Sequence, residues 1–263
     1  MGETADMSGE CASRTNLEMP DVQQELLAEL AKTGKPVVLL NFAGRPTVLS
    51  WENEHIPAIM NVWFGGSEVG DALCDVIFGD KVPSGKLTTS MPKTTGQEPL
   101  YYNHQNTGRP VPDDNQKFAK FASNCLDVSN GPLYPFGYGL SYTTFEYGDL
   151  KLSSHEVNRD DWKITATINV KNTGSRDADE IVQLYIRDMV ASISRPVKEL
   201  KGFQRLHLAA GESREISFDI TPEMLKFYNA ELKHVIEPGD FQIMVGGNSK
   251  EVKTQNLTVK KHP

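Results

Sequence analysis

Residues 131–147 read GPLYPFGYGLSYTTFEY, and this stretch marks the middle of the chain as a boundary. Three glycines and two prolines interrupt it too often for a regular helix. Its aromatic rings, such as Tyr134 and Phe136, need apolar surface to cover them, which argues against a flexible linker. The sequence therefore predicts a stiff aromatic connector at 131–147 with a folded domain on each side.

From residue 148 onward, apolar and polar residues alternate. The alternation runs through KITATINVKNTG (163–174) and IVQLYIRD (181–188), and it returns in REISFDI (214–220) and FQIMVGG (241–247). A period of two is typical of strands with one buried face, and Asn, Gly and Pro turn signals separate the segments. The pattern predicts a fibronectin-like antiparallel β-sandwich of about seven strands over 148–263.

The residues before the connector show α/β patterning instead. Helices are predicted at about 21–32 and at about 68–78, where Ser67 can cap the second one. VVLLNF at 37–42 is a continuous apolar run, the pattern of a parallel strand covered on both faces, and a second strand is expected near 46–50. The predicted apolar face of the first helix consists of Val22, Leu26, Leu27 and Leu30.

Residues 93–130 show no sustained period and contain several prolines and polar residues. We expect a long excursion that packs on the first domain, because four of its aromatic residues need cover: Tyr101, Tyr102, Phe118 and Phe121. The predicted organisation is thus a partial doubly wound α/β domain at 1–130, the connector, and an all-β domain at 148–263.

Composition excludes several classes of protein. With 38% hydrophobic and 24% charged residues the chain can bury a core, and its net charge of −8 disfavours nucleic acid or an anionic membrane as a partner. No apolar run approaches the roughly 20 residues of a membrane-spanning helix.

The three cysteines are too scattered for a disulfide framework, and no histidine or cysteine spacing indicates a metal site. Residues 1–10 do not have the pattern of a secretory signal.

Several long motifs together resemble glycoside hydrolase family 3, the β-glucosidase family. They are PFGYGLSYTTF in the connector, the run from Gly44 to Pro92, YYNHQNTGRP at 101–110 and SRPVKELKGFQRLHLAAGES at 194–213. The resemblance, strongest to bacterial periplasmic-type enzymes, implies an α/β sandwich domain followed by a fibronectin type III-like domain. It also implies a preceding TIM-like barrel with the nucleophilic aspartate, and nothing in this chain corresponds to that barrel.

The resemblance implies a general acid/base at Glu10. In the related subgroup this glutamate lies in a Glu-x-x-x-Arg segment, matched here by Glu10-Cys11-Ala12-Ser13-Arg14, although Ser13 replaces an aspartate of many members. Arg14 is expected to support the loop. A general acid must keep its proton near neutral pH until the leaving oxygen needs it. Glu3 and Asp6 lie on the same predicted loop and are the rival candidates.

Aromatic side chains are also candidates for contact with a sugar ring. Trp51, Trp63, Tyr101 and Tyr102 could stack on one, although packing within the protein is favoured for each.

Two functional hypotheses remain open. In the first, the chain is the C-terminal portion of a retaining β-glucosidase that hydrolyses terminal β-D-glucosyl residues, and it is inactive without the barrel. Its partners would be a β-glucoside or oligosaccharide and that barrel, without cofactor or metal, and the parent would be periplasmic or secreted. In the second, the chain is a non-catalytic scaffold or an interaction module.

Missing sheet strands would leave an apolar edge open, so self-association is also expected.

Overall fold

The computed structural model describes residues 1–111, 114–115, 118–158 and 162–260. They form two compact units. Unit 1 consists of Met1–Phe78, Thr89–Leu100 and Val111–Pro135, and unit 2 of Gly79–Thr88, Tyr101–Pro110 and Phe136–Pro263. Two segments that we placed in the first domain, 79–88 and 101–110, thus group with the second unit.

Unit 1 has a mixed α/β architecture. Its elements are α1 (Asp21–Lys32), β1 (Val38–Asn41), α2 (Ser50–His55), β2 (Ala58–Asn61), α3 (Val69–Ile77) and a 3-10 turn at Thr95–Gln97. Strands β1 and β2 pair in parallel, with Leu39 opposite Ile59. Residues 1–3 run parallel to the end of β1, because Gly2 bridges Phe42. This confirms the predicted α/β fold class.

The second parallel strand is not where the sequence predicted it. Residues 46–50 form no strand: Val48 makes one isolated bridge to Glu18, and Ser50 already starts α2. The apolar run was misleading because Val48 and Leu49 are buried in a loop. The actual second strand is β2, which the analysis missed. Ser67 does not cap α3 either, since that helix begins at Val69 and its N-cap residue is Glu68.

Helix α1 buries only part of its predicted apolar face. Leu27 is 1% exposed and packs in a small core with Leu39 and Ile56. Val22 and Leu26 are instead 78% and 53% exposed, so the prediction that they face the core is wrong. The self-association predicted through an open apolar strand edge stays a prediction.

The excursion at 93–130 is less covered than expected. Tyr101, Phe118 and Phe121 are 63%, 51% and 75% exposed, which contradicts the expectation that these three rings are covered. Tyr102 is covered, because its ring stacks on Phe136 with centroids 4.2 Å apart.

Unit 1 also buries the carboxyl group of Glu52, one oxygen of which lacks a hydrogen-bond partner among the described residues. Glu52 of α2 is 2% exposed, and its Oε1 has no partner among the described residues. Burial, reinforced by the carboxylate of Glu18, raises the pKa of Glu52 above its ordinary value of 4.5. The folded state therefore binds this proton more tightly than the unfolded state does, and ionising Glu52 destabilises unit 1.

Replacing Glu52 by glutamine should stabilise the protein in a pH-dependent way. As pH rises from the ordinary pKa through the raised pKa, the wild type loses stability, whereas Glu52→Gln does not. At pH 8 we expect the variant to be more stable by on the order of 1 kcal/mol, with no difference near pH 4. Urea unfolding at both pH values measures this. Glu54→Gln, at an exposed site of the same helix, should match the wild type, and a pH-independent gain for Glu52→Gln would contradict the assignment.

Unit 2 is a β-sandwich. Its strands are β3 (Phe145–Tyr147), β4 (Lys151–Leu152), β5 (Glu156–Val157), β6 (Ile164–Asn172), β7 (Ala178–Asp188), β8 (Glu199–Leu208), β9 (Ser213–Ile220), β12 (Gly239–Gly246) and β13 (Val252–Val259). Helix α4 (Pro222–Leu225) and the hairpin β10 (Phe227–Tyr228) and β11 (His234–Val235) lie between β9 and β12. One sheet has the order β5-β13-β12-β7-β8; in the other, β3, β4 and β9 pair with β6.

The sandwich confirms the predicted all-β fold, although its described strands are more numerous than the seven expected. The two sheets contain nine described strands: six of eight to eleven residues and three of two or three residues, β3, β4 and β5. Alternating residues of β6, such as Ile168 and Val170, meet Ile243 and Leu257 of the other sheet in one continuous core. The period-two pattern identified this core because strands such as β6 and β9 bury one face, whereas β7 and β12 also bury part of the other.

The part of the connector that lies in unit 2 packs through its backbone. Gly137 has φ of +80° and donates its N–H to the Leu87 carbonyl at 2.8 Å. The buried Gln183 of β7 donates to the Gly137 carbonyl at 3.2 Å and to the Gly247 carbonyl at 2.6 Å. An added Cβ at Gly137 would lie 2.1 Å from Gln183 Oε1. Glycine is therefore required here both by its backbone angle and by close approach.

Candidate active site

The carboxyl ends of three parallel segments lie together in unit 1. Glu3 N donates to Phe42 O at 2.7 Å, and Phe42 N donates to Met1 O at 2.8 Å, which places Glu3 beside the end of β1. At the ends of β1 and β2, Asn41 Nδ2 donates to Asn61 Oδ1 at 2.9 Å. Ligands of open parallel sheets bind outside this edge. The edge is therefore the natural place to look for a site.

Glu3 anchors the loop that follows it. Arg14 Nη1 donates to Glu3 Oε1 at 3.1 Å, Arg45 Nε lies 2.9 Å from the same oxygen, and Gly44 N donates to Glu3 Oε2 at 3.1 Å. The Glu3 side chain is 1% exposed. With both oxygens engaged and no access to solvent, Glu3 cannot reach a substrate. This argues against one of the two rival acids.

Arg45 and Arg14 extend this anchor along the loop. Arg45 Nη2 donates to the Met7 carbonyl at 2.7 Å, and Arg14 Nη2 donates to the Glu18 carbonyl at 3.3 Å. Arg14 therefore binds both ends of the loop and not Glu10 itself. Arg45 was not predicted as a site residue; its one signal in the sequence is the Gly44-Arg45-Pro46 corner after β1.

Glu10 lies near the tip of this loop and is exposed. It makes none of the side-chain hydrogen bonds or ion pairs found among the described residues. The next residue, Cys11, has φ of +60°, a conformation that non-glycine residues seldom adopt and that can mark a functional segment. The structure thus presents Glu10 as an exposed carboxyl group on an anchored loop.

Asp6, the other rival, has a different environment. The Thr4 hydroxyl donates to Asp6 Oδ1 at 2.5 Å, and this hydrogen bond holds the pKa of Asp6 below its ordinary value. A lowered pKa removes the proton that a general acid must keep near neutral pH. Asp6 is therefore poorly suited to proton donation.

An aromatic residue also reaches this edge. Phe64, just beyond β2, is 55% exposed. An added Cβ at Gly44 would lie 2.0 Å from Ser8 Oγ and 3.0 Å from Phe64 Cε2, so Ser8 and Phe64 both approach Gly44 closely. The neighbouring Trp63 was among the predicted sugar-contacting residues, whereas Phe64 was not.

The other aromatic candidates have different surroundings. Trp51 stacks on His55 at 4.4 Å. Tyr102 packs against Phe136 and Tyr185 of unit 2. Both rings therefore have packing partners within their own unit.

Metal and membrane features are not found in the part of the chain that the structure describes. No cluster of three or more His, Cys, Asp or Glu side chains there is arranged to bind a metal ion. None of the described helices combines the length and the apolar character needed to cross a bilayer.

Comparison with known proteins identifies the family. Residues 1–142 match the glycosyl hydrolase family 3 C-terminal domain. The chain belongs to glycoside hydrolase family 3. Residues 180–249 match the fibronectin type III-like domain, in agreement with the β-sandwich of unit 2. The family 3 resemblance found in the sequence is thereby confirmed.

Relatives within family 3 match almost all of the chain. It is 48% identical to a periplasmic β-glucosidase of Salmonella typhimurium, covering 96% of this chain and 33% of that protein. It is 42% identical to a β-xylosidase of Formosa agariphila, covering 99% of this chain and 35% of that protein. The crystal structure of a β-glucosidase from Listeria innocua superposes with a TM-score of 0.92 at 40% identity, covering 100% of this chain and 36% of that one. The chain spans about a third of the length of the curated relatives it matches.

Proposed function

We propose that this chain is the C-terminal portion of a retaining β-glucosidase and supplies its general acid/base, Glu10, but not its nucleophile. The observation that carries the proposal is the exposed carboxyl group of Glu10 on a loop tied to the carboxyl edge of the parallel strands. Arg14 is the residue proposed to support that loop, through Glu3. Family membership and the names of the relatives favour this chemistry over other uses of such a site.

In a retaining mechanism the two carboxyl groups have separate roles. Glu10 donates its proton to the glycosidic oxygen while the nucleophile attacks the anomeric carbon, and a covalent glycosyl-enzyme forms. Glu10, now deprotonated, then accepts a proton from the water that hydrolyses this intermediate. The two carboxyl groups must lie about 5–5.5 Å apart. The nucleophile is proposed to lie in a part of the parent protein outside this chain, so residues 1–263 alone are expected to be inactive.

The relatives also suggest the substrate and the compartment. Both β-glucosidases and β-xylosidases occur among them, so the substrate class is a terminal β-linked pyranoside. We propose glucose as the sugar released, since the relative that is 48% identical is named a β-glucosidase. Its name also supports a periplasmic location for the parent protein.

Activity should appear only when the missing part is restored. Residues 1–263 can be joined to the part of the Salmonella typhimurium relative that this chain does not match. We expect the fusion to hydrolyse 4-nitrophenyl β-glucoside, and we expect the purified chain alone to show no turnover above the uncatalysed rate, because it lacks the second carboxyl group. Release of nitrophenolate measures both.

The Salmonella part without residues 1–263 is the matched control and should also be inactive. Turnover by the purified chain alone would contradict the assignment of the nucleophile to another part of the parent. A folded but inactive fusion would favour the alternative function, a non-catalytic scaffold or interaction module.

A further inference from the structure

Unit 2 contains a pocket that lies outside the candidate active site. Its volume is about 320 Å³, and its walls are the last residue of β7, the segment 189–195 that follows it, and Asn106. This is at the lower end of the range of about 300–1,000 Å³ for small-molecule sites, which suits a ligand of one or two rings. Asp188, Ser192, Ser194 and Arg195 supply its other polar groups.

Two of the motif segments from the sequence analysis build this pocket. Asn106 belongs to YYNHQNTGRP at 101–110, and Arg195 belongs to the motif that starts at residue 194. The segments are joined by a bridge between Gln105 and Pro196 and by Val197 N, which donates to His104 O at 2.9 Å. The pocket walls therefore rest on a packed part of the sandwich.

Asp188 and Arg195 each leave one buried atom unpaired. Asp188 Oδ2 has no hydrogen-bond donor and Arg195 Nε has no acceptor among the described residues. The rest of Arg195 is held in place, since Nη2 donates to Glu199 Oε2 at 2.7 Å and the guanidinium lies 4.6 Å from the Phe227 ring centre. Burial also raises the pKa of Asp188. Buried unpaired polar atoms are costly, so each favours a ligand that supplies its partner.

The chemistry of the walls selects one class of ligand. An anion would be attracted by Arg195, but that charge is already paired with Glu199, and Asp188 and Glu237 add negative charge beside it, so an anion is disfavoured. A metal ion would need a ligand cluster of a kind not found among the described residues. An apolar ligand would leave both unpaired atoms as they are. A hydroxyl group both donates and accepts, so adjacent hydroxyls can satisfy Asp188 Oδ2 and Arg195 Nε together.

We propose that this pocket is a saccharide-binding site, separate from the candidate active site, in which sugar hydroxyls bind Asp188 and Arg195. The two atoms are buried, so the proposal requires side chains of the loop 189–194 to move when a sugar binds. Met189 and Val190, which are 38% and 81% exposed, lie on that loop and line the pocket. Binding should therefore change the environment of their methyl groups. The site is independent of the proposed catalytic role of Glu10.

The test is an NMR titration of residues 1–263 with methyl β-D-glucoside and with cellobiose. We expect saturable shifts at Asn106 and at 188–195, with a dissociation constant in the millimolar range, and saturation transfer between sugar protons and the Val190 methyls. Asp188→Ala should weaken binding at least tenfold. Asp179→Asn is the matched control on the same strand, outside the pocket, and should bind like the wild type. Sodium phosphate and calcium chloride should cause no such shifts.

Three results would overturn the proposal. They are the absence of saturable shifts up to about 100 mM sugar, shifts confined to residues around Glu10, and equal affinity of the wild type and Asp188→Ala. If Asp188→Ala does not fold, the test rests on saturation transfer between sugar protons and the Val190 methyl groups of the wild type. Absence of that transfer also refutes the proposed site. None of these results bears on activity of the fused enzyme, so this proposal and the proposed function can fail separately.

Discussion

Glu10→Gln is expected to lower kcat of the fused enzyme on 4-nitrophenyl β-glucoside by about 10²–10⁴-fold, the usual contribution of a general acid/base. An amide of the same shape cannot donate the proton that the leaving oxygen needs, nor accept one from water in the second step. Because Glu10 is exposed and makes none of the described side-chain hydrogen bonds, the substitution should leave the fold intact. Steady-state kinetics on both proteins give the ratio.

The choice of leaving group distinguishes catalysis by Glu10 from a structural role. 2,4-Dinitrophenolate leaves from its β-glucoside without needing a proton, so Glu10→Gln should form the glycosyl-enzyme almost normally from that substrate and then stall. Azide, which attacks that intermediate without needing a general base, should restore turnover and yield a glucosyl azide. The variant should also lose the alkaline limb of the pH–rate profile, which reports deprotonation of the acid. Misfolding would produce none of these three signatures.

Asp6→Asn is the matched control on the same loop. The hydrogen bond from Thr4 lowers the pKa of Asp6, so Asp6 does not hold a proton for catalysis. Replacing its carboxylate should therefore change kcat of the fused enzyme less than about twofold. If Glu10→Gln retains activity within twofold on 4-nitrophenyl β-glucoside, Glu10 is not the acid. Equal losses on both substrates without azide rescue would point to a structural role for the loop instead.

The elements that sequence predicted best are those with a strong local period. Helix α1 and four of the six long strands of the sandwich, β6, β7, β9 and β12, lie within a few residues of their predicted positions. Strand β2 was missed because AIMN at 58–61 is short and follows Pro57, while the buried loop at Val48 and Leu49 looked more apolar. Burial in a loop and burial in a strand produce the same short apolar run. Only the pairing partner, 20 residues away in β1, distinguishes them.

The candidate site shows a similar limit. Glu10 and Arg14 could be located because they share one short segment that resembles a known family. The role of Glu3 could not be predicted, since its partners Arg14 and Arg45 lie 11 and 42 residues away and meet it only after the parallel edge has formed. Likewise, α1 leaves Val22 exposed because a helical period shows which residues share a face and not which face is covered.

Gly137→Ala is expected to destabilise unit 2 by about 3–5 kcal/mol, a drop in Tm of roughly 10 °C. Two costs combine. Backbone φ of +80° is unfavourable for alanine by about 1–2 kcal/mol. In addition, the new Cβ would lie 2.1 Å from Gln183 Oε1. Gln183 cannot yield cheaply, because it accepts a hydrogen bond from Tyr185 Oη and donates to two carbonyls. Thermal unfolding followed by circular dichroism measures the effect.

Gly211→Ala separates these two costs. Gly211 lies in the same unit with φ of +78°, and an added Cβ there meets nothing within 4 Å. It should therefore show the backbone cost alone, about 1–2 kcal/mol. A second test removes the Gln183 side chain that would clash with the new Cβ. In a Gln183→Ser background, Gly137→Ala should lower the free energy of unfolding by little more than Gly211→Ala does. Additive losses in that double variant would mean that Gln183 is not the obstacle to a side chain at Gly137. Equal losses at the two glycines would mean that the connector tolerates a side chain there.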